Sequence, residues 1–158
     1  MIGKTIAHYK ILEKLGEGGM GVVYKATHVG LKKDLAIKIL LPELGALSGV
    51  VKRFEREAQS MSRLDHPGVV RVTDFGRTEE GLLYLVMEYV DGKSLGDLLA
   101  EQGHLSVQRA LHITRQLLLA LDHAHSLGVI HRDLKPDNIM VLNPGTAQES
   151  VKILDFGI

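Results

Sequence analysis

The sequence has no cysteine and no tryptophan, and its positive and negative charges balance. Without cysteine the chain cannot form disulfides or thiolate metal sites, which fits a reducing compartment and makes a cytoplasmic location our expectation. Nineteen Lys and Arg residues offset nineteen Asp and Glu residues. The net charge therefore indicates no general attraction to nucleic acid or to an anionic membrane, and we expect no nucleic-acid partner.

Long apolar runs are absent as well. No stretch approaches the ~20 apolar residues that a membrane-spanning helix needs. The opening MIGKTIAHYK lacks the apolar segment of a secretory signal. We therefore expect no membrane segment in this chain. With 158 residues, 45% of them hydrophobic and 24% charged, the composition is typical of a globular domain with a buried core.

Strand patterns dominate the first forty residues. Two short runs, HYKILEKLG and GVVYKATHV, flank the glycine-rich GEGGMG, which predicts a hairpin. The run DLAIKILL predicts a third strand. Because side chains alternate along a strand, Ala36 and Lys38 are expected to share one face of it.

A helix is predicted over VVKRFEREAQSMSRL, because Phe54, Ala58 and Met61 recur there at helical spacing. The sequence His66-Pro67-Gly68 is expected to lie beyond its end. Two further runs, VVRVTDFG and LLYLVMEYV, predict strands joined by the turn TEEG. One helix therefore stands among several strands in this half of the chain.

Helical patterns take over from Ser94. SLGDLLAEQG predicts a short helix, and residues 106–127 predict a long one, with Ser106 as N-cap and Gly128 just past the end. Two short strands, IMVL and VKIL, flank the polar loop NPGTAQES. The change from strands to helices falls near Asp91-Gly92, and we predict two lobes, 1–90 and 91–158.

Gly16, Gly18 and Gly21 form a G-x-G-x-x-G pattern. A dinucleotide-binding fold needs a helix after this pattern, whereas here the β-branched run Val22-Val23 follows. The loop therefore joins two strands. It is either a flexible hairpin tip or a flap whose backbone amides approach phosphates closely because side chains are missing.

Lys38 and Glu57 are charged residues in apolar surroundings. Lys38 lies on the third predicted strand, and Glu57 lies within the apolar face of the predicted helix. A carboxylate on such a face needs a partner, and Lys38 is the obvious one. The alternatives are a lysine whose ammonium reaches the rim of the core and a solvated glutamate.

The stretch His131-Arg132-Asp133-Leu134-Lys135-Pro136-Asp137-Asn138 is the most informative one. It follows the apolar pair Val129-Ile130 and is rich in charged and polar residues. Asp133 and Asn138 supply hard oxygen atoms, and Lys135 supplies a point charge. This combination suits a hydroxyl nucleophile, a magnesium ion and a phosphate.

The tripeptide Asp-Phe-Gly occurs twice. Asp155-Phe156-Gly157 follows Asn138 at a spacing that leaves room for a short hairpin, which would bring Asn138 and Asp155 together. Asp74-Phe75-Gly76 precedes a polar loop, and we expect Asp74 to be a solvated turn residue. The pattern G-x-x-x-x-G-K-[ST] is absent, so a P-loop NTPase is not supported.

In this order, the motifs GEGGMGVV, AIK, REA, HRDLKPDN and DFG resemble those of a eukaryotic-type protein kinase. DLKPDN is similar to the corresponding motif of serine/threonine kinases. RFEREA and the sequence of the glycine-rich loop resemble those of bacterial members. The resemblance implies an α+β, bilobal kinase-like fold, with an antiparallel-sheet N-lobe containing one helix, a hinge, and an incomplete, mainly helical C-lobe. The family continues beyond DFG with further helices, so apolar surface is expected on the long helix.

The resemblance also implies an activity, which is transfer of the γ-phosphoryl group of ATP to a serine or threonine hydroxyl of a protein substrate. Asp133 would orient that hydroxyl and accept its proton, and Lys135 would stabilise the transferring phosphoryl group. Asn138 and Asp155 would bind Mg²⁺. His131 and Phe156 would stack with Met61 and Val72 as an internal spine.

For the nucleotide, the resemblance implies that Lys38 would hold the α- and β-phosphates and pair with Glu57. Backbone groups of Gly16, Gly18 and Gly21 would lie over the phosphates, and backbone groups of Glu88 and Val90 would contact adenine at the hinge. The side chains around adenine would be those of Val23, Ala36, Leu95 and Met140.

Two other interpretations stay open. The chain could be a truncated nucleotide-binding or interaction module without phosphotransferase activity, or a non-functional gene remnant that yields little soluble protein. Substitution of Asp155 by Asn separates the kinase from the module, because loss of phosphate transfer would support the kinase and an unchanged function would exclude it.

Overall fold

The computed structural model describes residues 1–45 and 48–156. Its contacts divide the chain into two compact units. Among the described residues, the first contains Met1–Gln59 and Val72–Tyr89, and the second contains Ser60–Arg71 and residues 90–156. Residues 60–71, which the sequence suggested for the first lobe, thus pack with the second unit. The division into lobes at 90 and 91 stays a prediction.

The first unit is built on a six-stranded antiparallel sheet with the order β1-β2-β3-β4-β6-β5. The strands are β1 Thr5–Ile6, β2 Tyr9–Gly18, β3 Gly21–His28, β4 Asp34–Leu40, β5 Val72–Arg77 and β6 Leu83–Glu88. The predicted hairpin and third strand are confirmed. Strand β1 was not predicted, because two residues are too few to show a period.

One face of this sheet carries the first hydrophobic core. Its members come from five neighbouring strands: Ile6, Tyr9, Ile11, Ala26, Leu35, Ile37, Ile39, Tyr84 and Val86. Ala36 and Lys38 alternate with Leu35, Ile37 and Ile39 along β4, so they share the opposite face as predicted. The core therefore fixes which way Lys38 leaves the strand.

Two helices belong to this part of the chain, α1 Pro42–Gly45 and α2 Ser48–Met61. Phe54, Ala58 and Met61 are buried, as the helical spacing predicts. The helix ends three residues earlier than the predicted Leu64, because Arg63 and Leu64 donate to the carbonyls of Ser60 and Met61 in a tight turn. The single turn α1 was not predicted.

The second unit contains α3 Leu95–Gln102, α4 Val107–Ser126, a 3₁₀ turn at Pro136–Asn138, and the strands β7 Lys93–Ser94, β8 Ile139–Leu142 and β9 Ser150–Ile153. Ser94 and Ser106 cap the two helices by accepting from the amides of Asp97 and Arg109. Gly128, at φ 75°, donates to the His125 carbonyl beyond α4. The predicted N-cap Ser106 and the predicted position of Gly128 just past the end of α4 are confirmed, whereas the cap Ser94 was not predicted.

The strands β7, β8 and β9 form a small antiparallel sheet. Its core combines α3, α4, β8 and β9 through Leu95, Leu98, Ile113, Ile139, Val141 and Val151. Val69 also pairs with Ile153, and the Val70 amide donates to the Ile153 carbonyl at 3.0 Å. The predicted strand VVRVTDFG therefore begins only at Val72, because its first residues pair with β9 instead.

The polar loop between β8 and β9 is anchored by a buried ion pair. Glu149 is 7% exposed and accepts from Nε and Nη2 of Arg109, at 3.0 and 2.6 Å, and from the Gly145 amide at 2.7 Å. The Arg109 guanidinium holds the pKa of the Glu149 carboxyl below its usual range. The sequence did not single out this contact between a loop and α4.

The long helix α4 also has an apolar face in solvent. Val107, Leu111, Leu118 and Leu119 are all exposed, as the resemblance led us to expect. Within residues 1–45 and 48–156, no helix combines the length and apolar character that crossing a bilayer requires.

Candidate functional site

The glycine-rich loop is the tip of the β2–β3 hairpin, where Gly18 pairs with Gly21. A Cβ on Gly21 would lie 2.2 Å from the carbonyl oxygen of Ile39 in β4, so only glycine fits there. A Cβ on Gly16, Gly18 or Gly19 would meet nothing within 4 Å. Packing therefore requires one of these glycines, while the others leave open space beside the backbone, which suits a phosphate group.

Lys38 lies in the middle of the sheet and is 6% exposed. It is paired with Val23 on β3 and with Leu85 on β6, and Ala36 is paired with Met87. Val23 and Ala36 therefore share the face that carries the Lys38 side chain. Glu88, at the end of β6, is paired with Leu35.

Glu57 has a defined partner on its own helix. Its Oε1 accepts from Nε of Arg53 at 3.0 Å, and its side chain is largely buried. This contact argues against a freely solvated glutamate. The pairing of Glu57 with Lys38 stays a prediction.

In the second unit, His131 connects two segments of the chain. It is 2% exposed, its Nε2 donates to the Leu154 carbonyl at 2.7 Å, and its Nδ1 accepts from the Asp133 amide at 3.2 Å. Its ring lies 4.7 Å from the buried ring of Phe156. The predicted contact of His131 with Phe156 is confirmed, and the roles of Met61 and Val72 in a spine stay predictions.

Asp133 is surrounded by hydrogen-bond donors. Lys135 Nζ lies 3.0 Å from its Oδ2, and Asn138 Nδ2 donates to Oδ2 at 3.2 Å and to the backbone carbonyl at 2.8 Å. Lys135 is the main cause of a lowered pKa for the exposed Asp133 carboxyl. Asp133 is therefore a carboxylate at neutral pH, as a proton acceptor must be.

The hairpin predicted between Asn138 and Asp155 is confirmed. Strands β8 and β9 pair Ile139 with Ile153, and the Leu154 amide donates to the Asn138 carbonyl at 2.8 Å. Asp133 is the main cause of a raised pKa for Lys135, and Asp137 and Asp155 add smaller electrostatic contributions. The four candidate residues Asp133, Lys135, Asn138 and Asp155 thus belong to one region of this unit.

The side chains of this region fit a hard cation. Asn138 uses Nδ2 for both of its hydrogen bonds to Asp133, so its Oδ1, on the opposite edge of the planar amide group, points away from these two bonds. An amide oxygen and a carboxylate are the ligand types that Mg²⁺ takes from proteins. The donor set agrees with the roles expected for Asn138 and Asp155.

Two backbone positions in this region are strained. Arg132 has a φ of 67° and Asp155 a φ of 50°, and both are non-glycine residues in the left-handed region. Such conformations cost about 1–3 kcal/mol each and persist only where the surroundings impose them. His131 lies next to Arg132 and bonds the carbonyl before Asp155, so it links both strained positions.

The other nucleotide contacts expected in this unit are Val90, Leu95 and Met140. Met140 is paired with Ser94 across β7 and β8 and is partly exposed. Leu95 is buried in the core of the unit. Packing alone therefore explains Leu95, and its contact with adenine stays a prediction.

Asp74 is not the solvated turn residue that its polar surroundings suggested. It lies inside β5 opposite Val86, and its Oδ2 accepts from the Tyr9 hydroxyl at 2.9 Å. Burial of Tyr9, with a smaller effect of Asp74, raises the pKa of the Tyr9 hydroxyl to about 12. The prediction failed because the partner of Asp74 comes from a strand 65 residues away.

Sequence reasoning also missed the close approach of Asp137 to α3. A Cβ on Gly96 would lie 2.2 Å from Asp137 Oδ1. Gly96 therefore lets the 3₁₀ turn Pro136–Asn138 pack against the first turn of α3. The only local signal was a glycine inside a predicted helix.

The sequence of this chain matches a known protein family. The family model described as "Protein kinase domain" matches residues 9–158, which is nearly the whole chain. The chain belongs to the protein kinase domain family. Members of this family act on protein substrates with ATP and a divalent metal ion.

Similar curated proteins are bacterial serine/threonine-protein kinases. The chain is 46% identical to the kinase pkn3 of Myxococcus xanthus, over 99% of this chain and 29% of that protein. It is 42% identical to PrkC of Bacillus subtilis, over 100% of this chain and 24% of that protein. The chain thus spans less than a third of the length of these relatives.

Solved kinase structures share the fold. The Mycobacterium tuberculosis PknI kinase domain gives a TM-score of 0.85 at 34% identity, over 100% of this chain and 63% of that one. A structure of Rad53 1-466 in complex with AMP-PNP gives a TM-score of 0.83 at 35% identity, over 95% and 39%. The kinase-like α+β fold expected from the motifs is confirmed.

Proposed function

We propose that this chain is part of an ATP-dependent serine/threonine protein kinase that transfers the γ-phosphoryl group of ATP to a protein hydroxyl. The observation that carries the proposal is the arrangement around Asp133. Lys135 and Asn138 both contact its carboxylate, and the β8–β9 hairpin brings the chain at Asp155 beside Asn138.

Asp133 would orient the substrate hydroxyl and accept its proton. Its lowered pKa keeps it ionised, and an ionised carboxylate is required to receive that proton. Lys135, whose pKa is raised chiefly by Asp133, stays cationic and would stabilise negative charge on the transferring group. At neutral pH the Asp133 carboxylate and the Lys135 ammonium are therefore both charged, and each stabilises the charged form of the other.

Asn138 and Asp155 would hold Mg²⁺ through oxygen atoms, and in the first unit Lys38 would contact the α- and β-phosphates. Backbone amides at Gly16, Gly18 and Gly21 would lie over the phosphates, where open space beside Gly16 and Gly18 supports the assignment. Bound ATP would supply the γ-phosphoryl group and Mg²⁺ would neutralise its charge, while the bond from the γ-phosphorus to the bridging oxygen breaks and ADP leaves.

Adenine contacts are proposed for Val23, Ala36, Leu95 and Met140, with backbone groups of Glu88 and Val90. We propose the cytoplasm as the location, because ATP is available there and the chain has no cysteine that would require an oxidising compartment. A serine or threonine of a protein is the proposed acceptor, in keeping with the names of the curated relatives.

The test combines nucleotide binding with phosphoryl transfer. A fluorescent ATP analogue is titrated against the natural protein that contains these residues, with and without Mg²⁺. Transfer of radiolabel from ATP to a serine- and threonine-rich acceptor protein is then measured. We expect Mg²⁺-dependent binding and transfer, with binding weakened by Lys38→Met and transfer abolished by Asp133→Asn.

Two results would contradict this proposal. Nucleotide binding without transfer, in a protein whose Asp133 and Asp155 variants behave like the unaltered chain, would support the binding module instead. Absence of nucleotide binding by a correctly folded protein would exclude both functions. Circular dichroism of each variant shows whether folding is retained.

A further inference from the structure

The connection between α2 and β5 makes a tight turn that packs on α4, and we call its residues 65–69 the 65–69 turn. Both the turn and α4 belong to the second unit. The Val69 amide donates to the His66 carbonyl at 3.0 Å, which closes the turn. A Cβ on Gly68 would lie only 3.0 Å from the Cβ of Ala120 in α4. The turn therefore lies directly on the helix.

Two histidines join the turn to the helix, one from each element. The ring of His66 is stacked on the ring of His123, with the centroids 5.4 Å apart and an angle of 30° between the planes. Nδ1 of His66 accepts from the Gly68 amide at 3.0 Å, and Nε2 of His123 accepts from the Asp65 amide at 3.3 Å. The function proposed above assigns no role to either side chain.

Both hydrogen bonds require a neutral imidazole. A ring nitrogen accepts only when it carries no proton, so the proton of the neutral ring lies on Nε2 in His66 and on Nδ1 in His123. A second proton would turn the accepting nitrogen into a donor that faces another donor. Two protonated rings stacked at this distance would also repel each other. The arrangement therefore favours the uncharged form of both rings.

The surroundings of His66 also oppose its protonation. Burial lowers the pKa of His66 below its ordinary value, and the positive charges of His123 and of Lys152 on β9 add smaller effects in the same direction. Three elements, the turn, α4 and β9, thus contribute to the preference for a neutral ring.

The remaining charged groups nearby do not offset this preference. The carboxylate of Asp65 in the turn forms an ion pair with Arg71, so a guanidinium already balances its charge. Asp122 and His125 flank His123 along α4, but residues one or two positions apart on a helix do not face each other.

We propose that His66 and His123 form a pH-sensitive attachment of the 65–69 turn to α4, which is closed when both rings are neutral and opens when they are protonated. Opening breaks the hydrogen bonds from the amides of Asp65 and Gly68. Because the Ile153 amide donates to the Gly68 carbonyl at 2.8 Å, opening also loosens the end of β9.

The pH range of opening follows from the direction of the shift at His66. Since its pKa is lowered in the folded chain, the unfolded chain binds more protons between that pKa and the ordinary value of 6.5. The stabilisation is complete above pH 6.5 and is lost as the pH falls through the lowered pKa. The attachment therefore responds to mild acidification.

Hydrogen exchange followed by mass spectrometry measures the opening. Exchange of the segment 62–71 in the full chain is compared at about pH 7.5 and about pH 5, on either side of the ordinary histidine pKa, after correction for the intrinsic pH dependence of exchange. We expect the corrected exchange to be roughly tenfold faster at the lower pH, because two hydrogen bonds are lost. The measurement needs no nucleotide, so it is independent of phosphoryl transfer.

Two substitutions keep the acceptors and remove the titration. The side-chain oxygen of asparagine can take the place of Nδ1, and that of glutamine the place of Nε2. The double variant His66→Asn with His123→Gln should therefore accept from the same amides at every pH. The deciding quantity is the ratio of corrected exchange at the two pH values, which should fall to about one in this variant. A uniform change at both pH values leaves that ratio unaffected.

The matched control is His104→Gln, which removes an exposed histidine between α3 and α4. The control should keep the roughly tenfold ratio of the unaltered chain. An equal ratio in the double variant would overturn the proposal, because other groups would then titrate. A ratio near one in the unaltered chain would overturn it as well. So would equal acceleration of residues 95–102 in α3, since acid would then loosen the whole unit.

Discussion

The tripeptide Asp-Phe-Gly has two different structures in this chain. At 74–76 it lies inside β5, and Asp74 accepts a hydrogen bond from Tyr9. At the second copy, Asp155 lies beyond β9 in the left-handed region, and Phe156 is buried against His131. Gly157 of this copy lies outside the described residues. Because the residues are identical, their surroundings must decide the difference.

The two copies differ in whether a neighbouring strand continues beside them. Strand β6 runs past the first copy and pairs Val86 with Asp74 and Leu85 with Phe75, so the chain stays extended. The partner of β9 is β8, which begins only at Ile139 after a 3₁₀ turn. With no ladder to follow, the chain after Leu154 turns toward His131. A short motif thus takes its structure from its neighbours.

The largest expected difference between the copies is in catalysis. Asp155→Asn should lower phosphoryl transfer by roughly a thousandfold, because the proposed metal ligand would contribute several kcal/mol in the transition state. Asp74→Asn should leave transfer within about twofold, since Asp74 contacts only Tyr9 among the bonds described. Initial rates with radiolabelled ATP measure both. Equal loss in the two variants would refute the comparison.

The phenylalanines are expected to differ in stability. Phe156→Ala should lower the free energy of unfolding by about 3–5 kcal/mol, because Phe156 is fully buried. Phe75→Ala should cost less, about 1–2 kcal/mol, because Phe75 is only partly buried. Denaturant titrations followed by circular dichroism give both values. A larger loss at Phe75 would mean that burial does not distinguish the copies.

The hydrogen bond of Asp74 is expected to have a smaller effect. Tyr9→Phe removes the donor at 2.9 Å while keeping the ring in the first core. The loss in the free energy of unfolding should be about 1 kcal/mol. Tyr24→Phe, on the neighbouring strand, is a control that leaves this bond intact. No loss for Tyr9→Phe would show that water replaces the hydroxyl without cost.

A separate effect is expected on alkaline stability. The pKa of Tyr9 rises from 10.0 to about 12 in the folded chain, through burial first and Asp74 second. The protonated hydroxyl therefore stabilises the fold fully below pH 10, and this contribution is lost as the pH rises toward 12. Denaturant midpoints of the unaltered chain and Tyr9→Phe should converge over this range. A constant difference between them would contradict the assignment.

Most strands and helices could be predicted, and the wrong start predicted for β5 shows what a local pattern lacks. The α4 helix and its caps follow from local spacing, and so does the β2–β3 hairpin. By contrast, Val69 and Val70 read as the start of β5, yet they join β9, more than eighty residues later in the chain. A pattern of apolar residues shows that a segment is extended and buried, but it does not name its partner.

The same limit applies to the candidate site, where residue types could be predicted but contacts between distant segments could not. The motif order alone singled out Asp133, Lys135, Asn138 and Asp155 as candidates, because each would supply a chemical group that phosphoryl transfer needs. It could not reveal that the absence of a side chain at Gly96 leaves room for Asp137. Nor could it reveal that Glu149 anchors the β8–β9 loop on Arg109. These contacts join distant segments through side chains whose local context is ordinary.

By itself, the sequence determined the family, the alternation that directs Lys38, and the identity of the charged groups, since these depend on residue type and local spacing. Only the tertiary structure decided which Asp-Phe-Gly is strained and which is a strand. The physical reason is that both hydrogen-bond ladders and buried contacts are made between segments far apart in the chain, so their energies enter only after the segments meet.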